Sequence, residues 1–540
     1  MKNKFGILIA IVALLGASYT GVWYYKSNEL KESVEIALAE RSKDNSSPWK
    51  MTYDNVEKAG YPLNIELTFT NPKFLDIESQ AQIVHTGNMT FGQSLLDKQK
   101  IWVKSNGKTD LIPPKYSVND GKPDEVHTIF LGNAFLECSN CGEHLQLVNN
   151  MLVNTLTFEE WVPILLENSK LELNDFTISQ ESMDSSGIQQ IVKMQNAVFN
   201  INNKIQNGNN NFSFEMDVKK FSPIVTPETL DSLGEIFSHT SKEELMTTFY
   251  GYGDSNLILQ IHGFLPTLDH PFFKTPSLEN LSSFSFVIDK AEFINECSSY
   301  QSAGKIGFEK QADKTFKGIV TLAQEAKVTE LYHTKLVKMG ELLAREGKTI
   351  KEDQFSFPDV AKVFEEHSNE LVPNIHALGT INDSIGLHFH GKEGAISNSI
   401  EYIVVELNKY NMTNDLFSLN FDGKLEKKDV NKDSGNLNIQ LKHYKNLFNS
   451  ILSYYSKWQT YLAQAKAREQ LPVISTQYIE RIEKFLESFS TSTSSGQLDI
   501  PIVYQDPIHI KIGPKNMQEA FIAWSQLVMD LNTELQKSNP

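Results

Sequence analysis

The sequence predicts an α+β protein: an N-terminal transmembrane helix, then a β-rich, mainly antiparallel body with inserted helices. Three observations predict it. Residues Phe5 to Tyr25 form an uncharged, mostly apolar run. Short segments in which apolar and polar residues alternate recur along the chain, separated by Gly, Pro and Asn turns, as in half-buried antiparallel strands. Longer stretches with helical start and stop signals lie between them.

Lys2 and Lys4 precede the apolar run and Lys26 closes it. About 20 apolar residues cross a bilayer as one helix. A cleaved signal peptide has a shorter apolar core and a small-residue cleavage site, which Gly16-Ala17-Ser18 would supply. Val22, Trp23, Tyr24 and Tyr25 carry the apolar character past that site and resemble an interfacial aromatic belt. The expectation is an uncleaved single-pass anchor at 5–25. The positive-inside rule then leaves residues 1–4 in the cytosol and the bulk of the chain outside it.

Residues 26–45 are expected to continue as a helical stalk with Leu30, Val34, Ile36 and Leu38 on a partial apolar face. A β-rich domain over 46–320 follows. In it Trp49, Met51 and Tyr53 alternate with polar residues. After the Gly60-Tyr61-Pro62 turn, Leu63, Ile65, Leu67 and Phe69 alternate again up to Asn71-Pro72. Segments 81–91 and 99–104 keep the strand pattern, as does Phe212 to Val218. Weaker echoes are Leu171 with Leu173, and Phe284, Phe286 and Ile288. Thr226-Pro227-Glu228 is a helix start, with Thr as N-cap and Pro in the first turn. Helices are expected over 157–168, 322–346, 358–371, 443–467, 474–489 and 515–536. Thr157 to Glu160 has capping-box spacing, and Gly347 suits a helix C-cap. The resulting division has a helical insertion at 321–372 and a second β-rich part with helices at 373–514. A C-terminal amphipathic helix at 515–540 closes the chain. Its stripe of Met517, Phe521, Trp524, Val528 and Leu531, with Ala520, Leu527 and Leu535, is expected to dock on the protein core.

The formal charge of −17 excludes broad phosphate-backbone binding, which needs a basic surface, so no nucleic-acid partner is expected. Three cysteines are too few for a disulfide-built scaffold. Cys138 and Cys141 form a close pair that suits a local disulfide. Two thiolates with His144 also make the beginning of a metal site, without the second half that zinc motifs carry. His388-Phe389-His390 puts two imidazoles on one strand face. His388 and His390 are therefore the candidate metal ligands, with His367 or His376 as third partners. The bland alternative is a solvated polar strand face. Gly347-Lys348-Thr349 ends like a phosphate-binding loop, but Leu342 stands where the motif needs Gly. Neither Gly-x-Ser-x-Gly nor His-Glu-x-x-His occurs, which removes two common hydrolase signatures. No catalytic residue and no cofactor is assigned.

The arrangement resembles a bacterial envelope family known as domain of unknown function 2125. The resemblance rests on the N-terminal anchor, Trp49 in an early strand, and Gly60-Tyr61-Pro62 before the alternating strand Leu63 to Phe69. Gly435-Asn436-Leu437 running into a helix and a closing strand ending at Gly513-Pro514 add to it. The layout is also similar to domain of unknown function 945. What the resemblance implies is a place in the bacterial envelope, with the anchor in the inner membrane and the body in the periplasm. It implies no activity.

The functional expectation is a non-enzymatic envelope protein. It would act as a scaffold or assembly factor, or bind a lipid or other hydrophobic ligand. The reason is the many alternating strands with large apolar residues, Phe alone occurring 32 times. Such strands can present an apolar face beside a bilayer, or simply fill a core. The rival reading is a metal-dependent envelope enzyme.

Overall fold

The computed structural model describes residues 2–43, 49–77, 81–97, 99–112, 126–139, 168–182, 187–206, 209–223, 234, 237, 240–250, 253–266, 280, 282–347, 358–394, 399–427, 433–464, 476–492, 494, 496–506 and 509–538. Most of it is antiparallel sheet, with helices added. The helix expected at 157–168, all but its last residue, the start at Thr226-Pro227, His144 and Cys141 lie outside the described residues. Two compact units divide the chain. The first is Met1–Lys204 with Asn211–Pro227 and Asn256–Ile258; the second is Ile205–Asn210, Glu228–Ser255 and Leu259–Pro540.

The first unit begins with α1 (Lys2–Lys43), one unbroken helix. Its strands are β1 (Trp49–Thr52), β2 (Asn55–Ala59), β3 (Asn64–Thr70), β4 (Lys73–Asp76), β5 (Gln82–Ser94), β6 (Ile101–Ile112), β7 (Val126–Cys138), β8 (Ser169–Ser182), β9 (Gly187–Gln206) and β10 (Asn209–Pro223). From β5 to β9 each strand pairs antiparallel with the next. The alternation read in β3 is borne out: Ile65, Leu67 and Phe69 are buried and the residues between them are not. One turn of α1 after another covers that buried face. Val34 and Leu38 cluster with Met51, Val56, Leu67, Phe69 and Phe91, and Leu30 packs against them. These helix positions are four apart and share one face. Of the apolar face expected on this helix, Leu30, Val34 and Leu38 pack on the sheet, whereas Ile36 points away and is exposed. Complete burial of a Leu or Phe side chain is worth about 1.5–3 kcal/mol, so this cover is a real core. No helix among the described residues is long and apolar enough to cross a membrane; the side chains of residues 1–18 lie outside that set.

One pair of glycines in this sheet is sterically obligatory. Gly87 and Gly107 face each other across β5 and β6, with φ of 136° and 118°. A Cβ on either would come within 2.2 Å of the opposing strand's carbonyl oxygen. Only glycine allows both the conformation and the approach.

The second unit contains β11 (Ser255–Pro266), β12 (Phe284–Ile294), β13 (Ser298–Lys310), β14 (Thr315–Val328), β15 (Thr380–Glu393), β16 (Ile400–Thr413), β17 (Ser418–Lys427), β18 (Asp433–Lys442), β19 (Gln497–Asp506), β20 (His509–Ile512) and β21 (Lys515–Asn516). From β12 to β21 each strand pairs antiparallel with the next. Two helical excursions interrupt this meander: α2 (Glu330–Gly347) and α3 (Pro358–Leu371) after β14, then α4 (Tyr444–Gln464) and α5 (Thr476–Glu487) after β18. The chain closes with α6 (Met517–Ser538). The helices pack mainly on one another, α2 with α3, α3 with α4 and α5 with α6, and α6 also meets β20 and β21.

Two expectations are corrected here. Residues 322–328, expected as helix, are the end of β14, paired on both edges with β13 and β15. Leu-Ala-Gln-Glu-Ala-Lys has helical propensity, but two neighbouring ladders outweigh it. In α6 only part of the expected stripe is docked. Ala520 and Leu527 of it are buried, whereas Met517, Phe521, Trp524 and Val528 are exposed. Small Ala520 lets the helix approach closely. The start of α6 is fixed by a reciprocal capping box: Glu519 N–H donates to Asn516 Oδ1 at 2.9 Å, and Asn516 N–H donates to Glu519 Oε2 at 2.8 Å.

Candidate functional site

Directly opposed residues of an antiparallel ladder share a face, and successive residues alternate between faces. Applied to β12–β20, this register builds two adjacent rows. One row reads Phe284, Phe308, Gly318, Phe389, Val405, Leu425, Gly435, Tyr504 and Ile510. The other reads Phe286, Ile306, Val320, Leu387, Leu407, Gly423, Leu437, Ile502 and Ile512. Neither row holds a charged side chain. The rows on the reverse face mix charged and polar side chains with apolar ones. Ser285, Gly307, Ile319, His388, Glu406, Lys424 and Asn436 form one of them.

The apolar face is levelled by large side chains lying over glycines. The Phe389 ring lies over Gly318 and the Phe316 ring over Gly391. These are two directly opposed pairs on the same two strands, with the partners exchanged. Leu322 covers Gly304 and Leu425 covers Gly435 in the same way. Phe284, Phe308 and Phe316 then stack across the strands, with centroids 6.0 and 5.8 Å apart. Further along, Val405, Leu407, Leu425, Leu437, Ile502 and Tyr504 surround a recess of about 220 Å³ floored by Gly423 and Gly435. Of all these side chains Phe308 and Phe316 are buried. The remainder are half-buried, and Ile306 and Leu425 are exposed.

The reverse face holds the histidines picked out in the sequence. A recess of about 710 Å³ is lined there by Lys305, Glu309, Lys317, His388, His390 and Glu406, among others. His388 stands opposite Glu406, and His390 opposite Lys317. The amide nitrogen of Asn408 lies 3.1 Å from His388 Nδ1, so that ring nitrogen accepts. Lys317 bonds Glu309 at 2.8 Å, and Lys424 holds Glu406 at 3.4 Å and Glu426 at 2.7 Å. These solvated pairs bring little stability each. The expected third ligands are elsewhere: His376 Nδ1 meets the Val328 carbonyl at 3.0 Å, and His367 stacks on Tyr461 with centroids 3.7 Å apart. Among the described residues no three His, Cys, Asp or Glu side chains converge to hold a metal ion.

Cys138 is in a disulfide. Cys297 is free and buried, and burial raises its thiol pKa, which makes it a poor nucleophile.

Sequence reasoning places Phe284 and Phe286 in a strand but does not disclose the face they share with the neighbouring strands. It did not mark Val405 and Leu407, although Ile403, Val405 and Leu407 alternate in β16. No protein-family model matches this chain, and no curated protein matches it; the family resemblance therefore rests on its short motifs alone.

Proposed function

We propose that this chain is a single-pass protein of the bacterial inner membrane whose periplasmic body holds an extended apolar chain, such as a lipid acyl tail. Residues 5–25 are the anchor in this reading, and the apolar face of β12–β20 is the binding surface. One observation carries it: two adjacent rows across nine strands without a charged side chain, left half-exposed. Whole-ligand pockets usually enclose about 300–1,000 Å³. The 220 Å³ recess between Val405 and Tyr504 suits a segment of a chain laid along the rows. The role proposed is binding without chemistry.

A photo-crosslinking residue at Leu425, in the full chain in its native membrane, tests the proposal. The same residue at Lys424, on the reverse face, is the control. A lipid adduct from position 425 and none from 424 is the expected result. A protein adduct from 425 would instead make the face a docking surface and the chain a scaffold or assembly factor. Equal yields from both positions would sink the binding-face reading.

A further inference from the structure

We propose that the β2–β3 turn, the β5–β6 loop and two turns of α1 form a collar that sits in the headgroup layer of a phospholipid bilayer. The inference rests on the anchor reading above and adds a second contact with the membrane.

The turn at 60–63 is bonded to the helix, not merely near it. The Tyr19 hydroxyl donates to the Pro62 carbonyl at 2.6 Å, and Trp23 Nε1–H donates to the Asn64 carbonyl at 2.6 Å. Thr20 and Tyr61 share a hydrogen bond between hydroxyls at 2.7 Å. The Trp23 and Tyr61 rings meet edge to face with centroids 5.3 Å apart. The β5–β6 loop joins them through Leu95 N–H, which donates to the Leu63 carbonyl at 2.9 Å. The turn, the loop and the helix are thus held at one level.

That level exposes apolar and aromatic side chains to solvent. Leu96 is 76% exposed, Tyr25 66%, Tyr61 52% and Leu63 49%. Val22 and Tyr24 are exposed as well. Tyr and Trp with one apolar side and one polar tip favour the headgroup layer over both water and hydrocarbon. The helix sets the depth. At 1.5 Å per residue, Lys4 to Tyr19 rises about 23 Å and Lys4 to Tyr25 about 32 Å. Those two limits bracket the roughly 30 Å hydrocarbon core. Above the collar the surface turns polar within one helical turn, with Lys26 bonded to Glu29 at 2.7 Å and Asn28 bonded to Lys58.

The test places a polarity-sensitive fluorophore on single introduced cysteines: Leu63→Cys in the collar, Ala13→Cys in the apolar run and Thr52→Cys in β1. The full chain is reconstituted into phosphatidylethanolamine–phosphatidylglycerol nanodiscs. Native thiols do not compete, since Cys297 is buried and Cys138 is oxidised. Quenching is read from nitroxide-bearing lipid and from aqueous iodide. Position 63 is expected to be quenched several-fold more by the lipid, and less by iodide, than position 52. If position 63 behaves like 52 while position 13 is quenched by lipid, the collar is wrong and the anchor stands. Should position 13 also answer only to iodide, the anchor reading falls and the collar with it.

Discussion

The sheet face under α1 and the sheet face of β12–β20 are built from the same alternating chemistry and meet different ends. In the first unit Val34 and Leu38 descend on Leu67 and Phe69, which are 1% and 0% exposed. In the second, Leu425 and Ile306 occupy comparable positions on a ladder and remain about half exposed, at 52% and 46%. A strand pattern alone cannot distinguish a core from a binding surface; what distinguishes them is whether another element of the chain is spent on covering it. The helices of the second unit mainly cover one another, Val363, Leu371 and Leu462 forming a core of their own.

The largest expected effect is at the covered face. Phe69→Ala removes a buried ring that meets Tyr53 at 5.1 Å and Phe91 at 5.7 Å edge to face, and should cost about 3–5 kcal/mol. Leu425→Ala on the open face should stay within about 0.5 kcal/mol of wild type. Native-state hydrogen exchange resolves the two, because it reports β3 and β17 amides separately. Equal losses at both sites would mean that the second face is covered after all.

A middle-sized effect compares two glycines that each lie under an aromatic ring. Gly92 is directly opposite Trp102, and Gly318 directly opposite Phe389. A Cβ would come to 2.1 Å from the indole nitrogen in one and 1.9 Å from the ring tip in the other. Trp102 is buried and tied by Nε1–H to Glu66 at 3.0 Å, so it cannot move without losing that bond. Phe389 is half-buried beside an open face and has room to swing. Gly92→Ala should therefore cost about 2–3 kcal/mol and Gly318→Ala about 1 kcal/mol, within the usual range for overpacking. Thermal unfolding of the two variants checks the order. The reverse order would show that the Phe389 ring is the more tightly held.

These contrasts also mark what the sequence could and could not disclose. Strand β3 was legible because Ile65, Leu67 and Phe69 alternate without interruption. Strand β13 was not, since Ser-Ser-Tyr-Gln-Ser-Ala-Gly-Lys has no clear period and becomes strand by pairing on both edges. The end of β14 was misread because its composition favours helix. His388 and His390 were correctly placed on one strand face by period alone. That Glu406 and Lys317 stand opposite them follows only from register, which is set by distant strands and shifted by a bulge between Gly386 and Leu387. The apolar rows were hidden for the same reason. Each strand supplies only one residue to each row, and glycines occupy several of the places.

The smallest effect separates the two units by pH. His85 is completely buried in the first unit, with Nδ1 2.8 Å from Thr109 Oγ1 and Nε2 3.4 Å from Ser105 Oγ. Burial pushes its pKa down, and backbone hydrogen bonds with Asn88 and Asn106 oppose this only in part. The folded state therefore binds a proton less readily than the unfolded chain, whose His titrates near about 6.5. Stability is unaffected above that pH. It is lost as the pH falls through about 6.5 toward the lower folded pKa, because the unfolded state gains the proton first. Hydrogen exchange of β5 and β6 should thus accelerate between pH 6.5 and 5 beyond the intrinsic change, while β17 and β18 of the second unit should not. A His85→Gln variant should be less stable at neutral pH but lose this extra dependence. If the dependence survives the substitution, another group carries it, and the buried imidazole is not the source of the difference between the units.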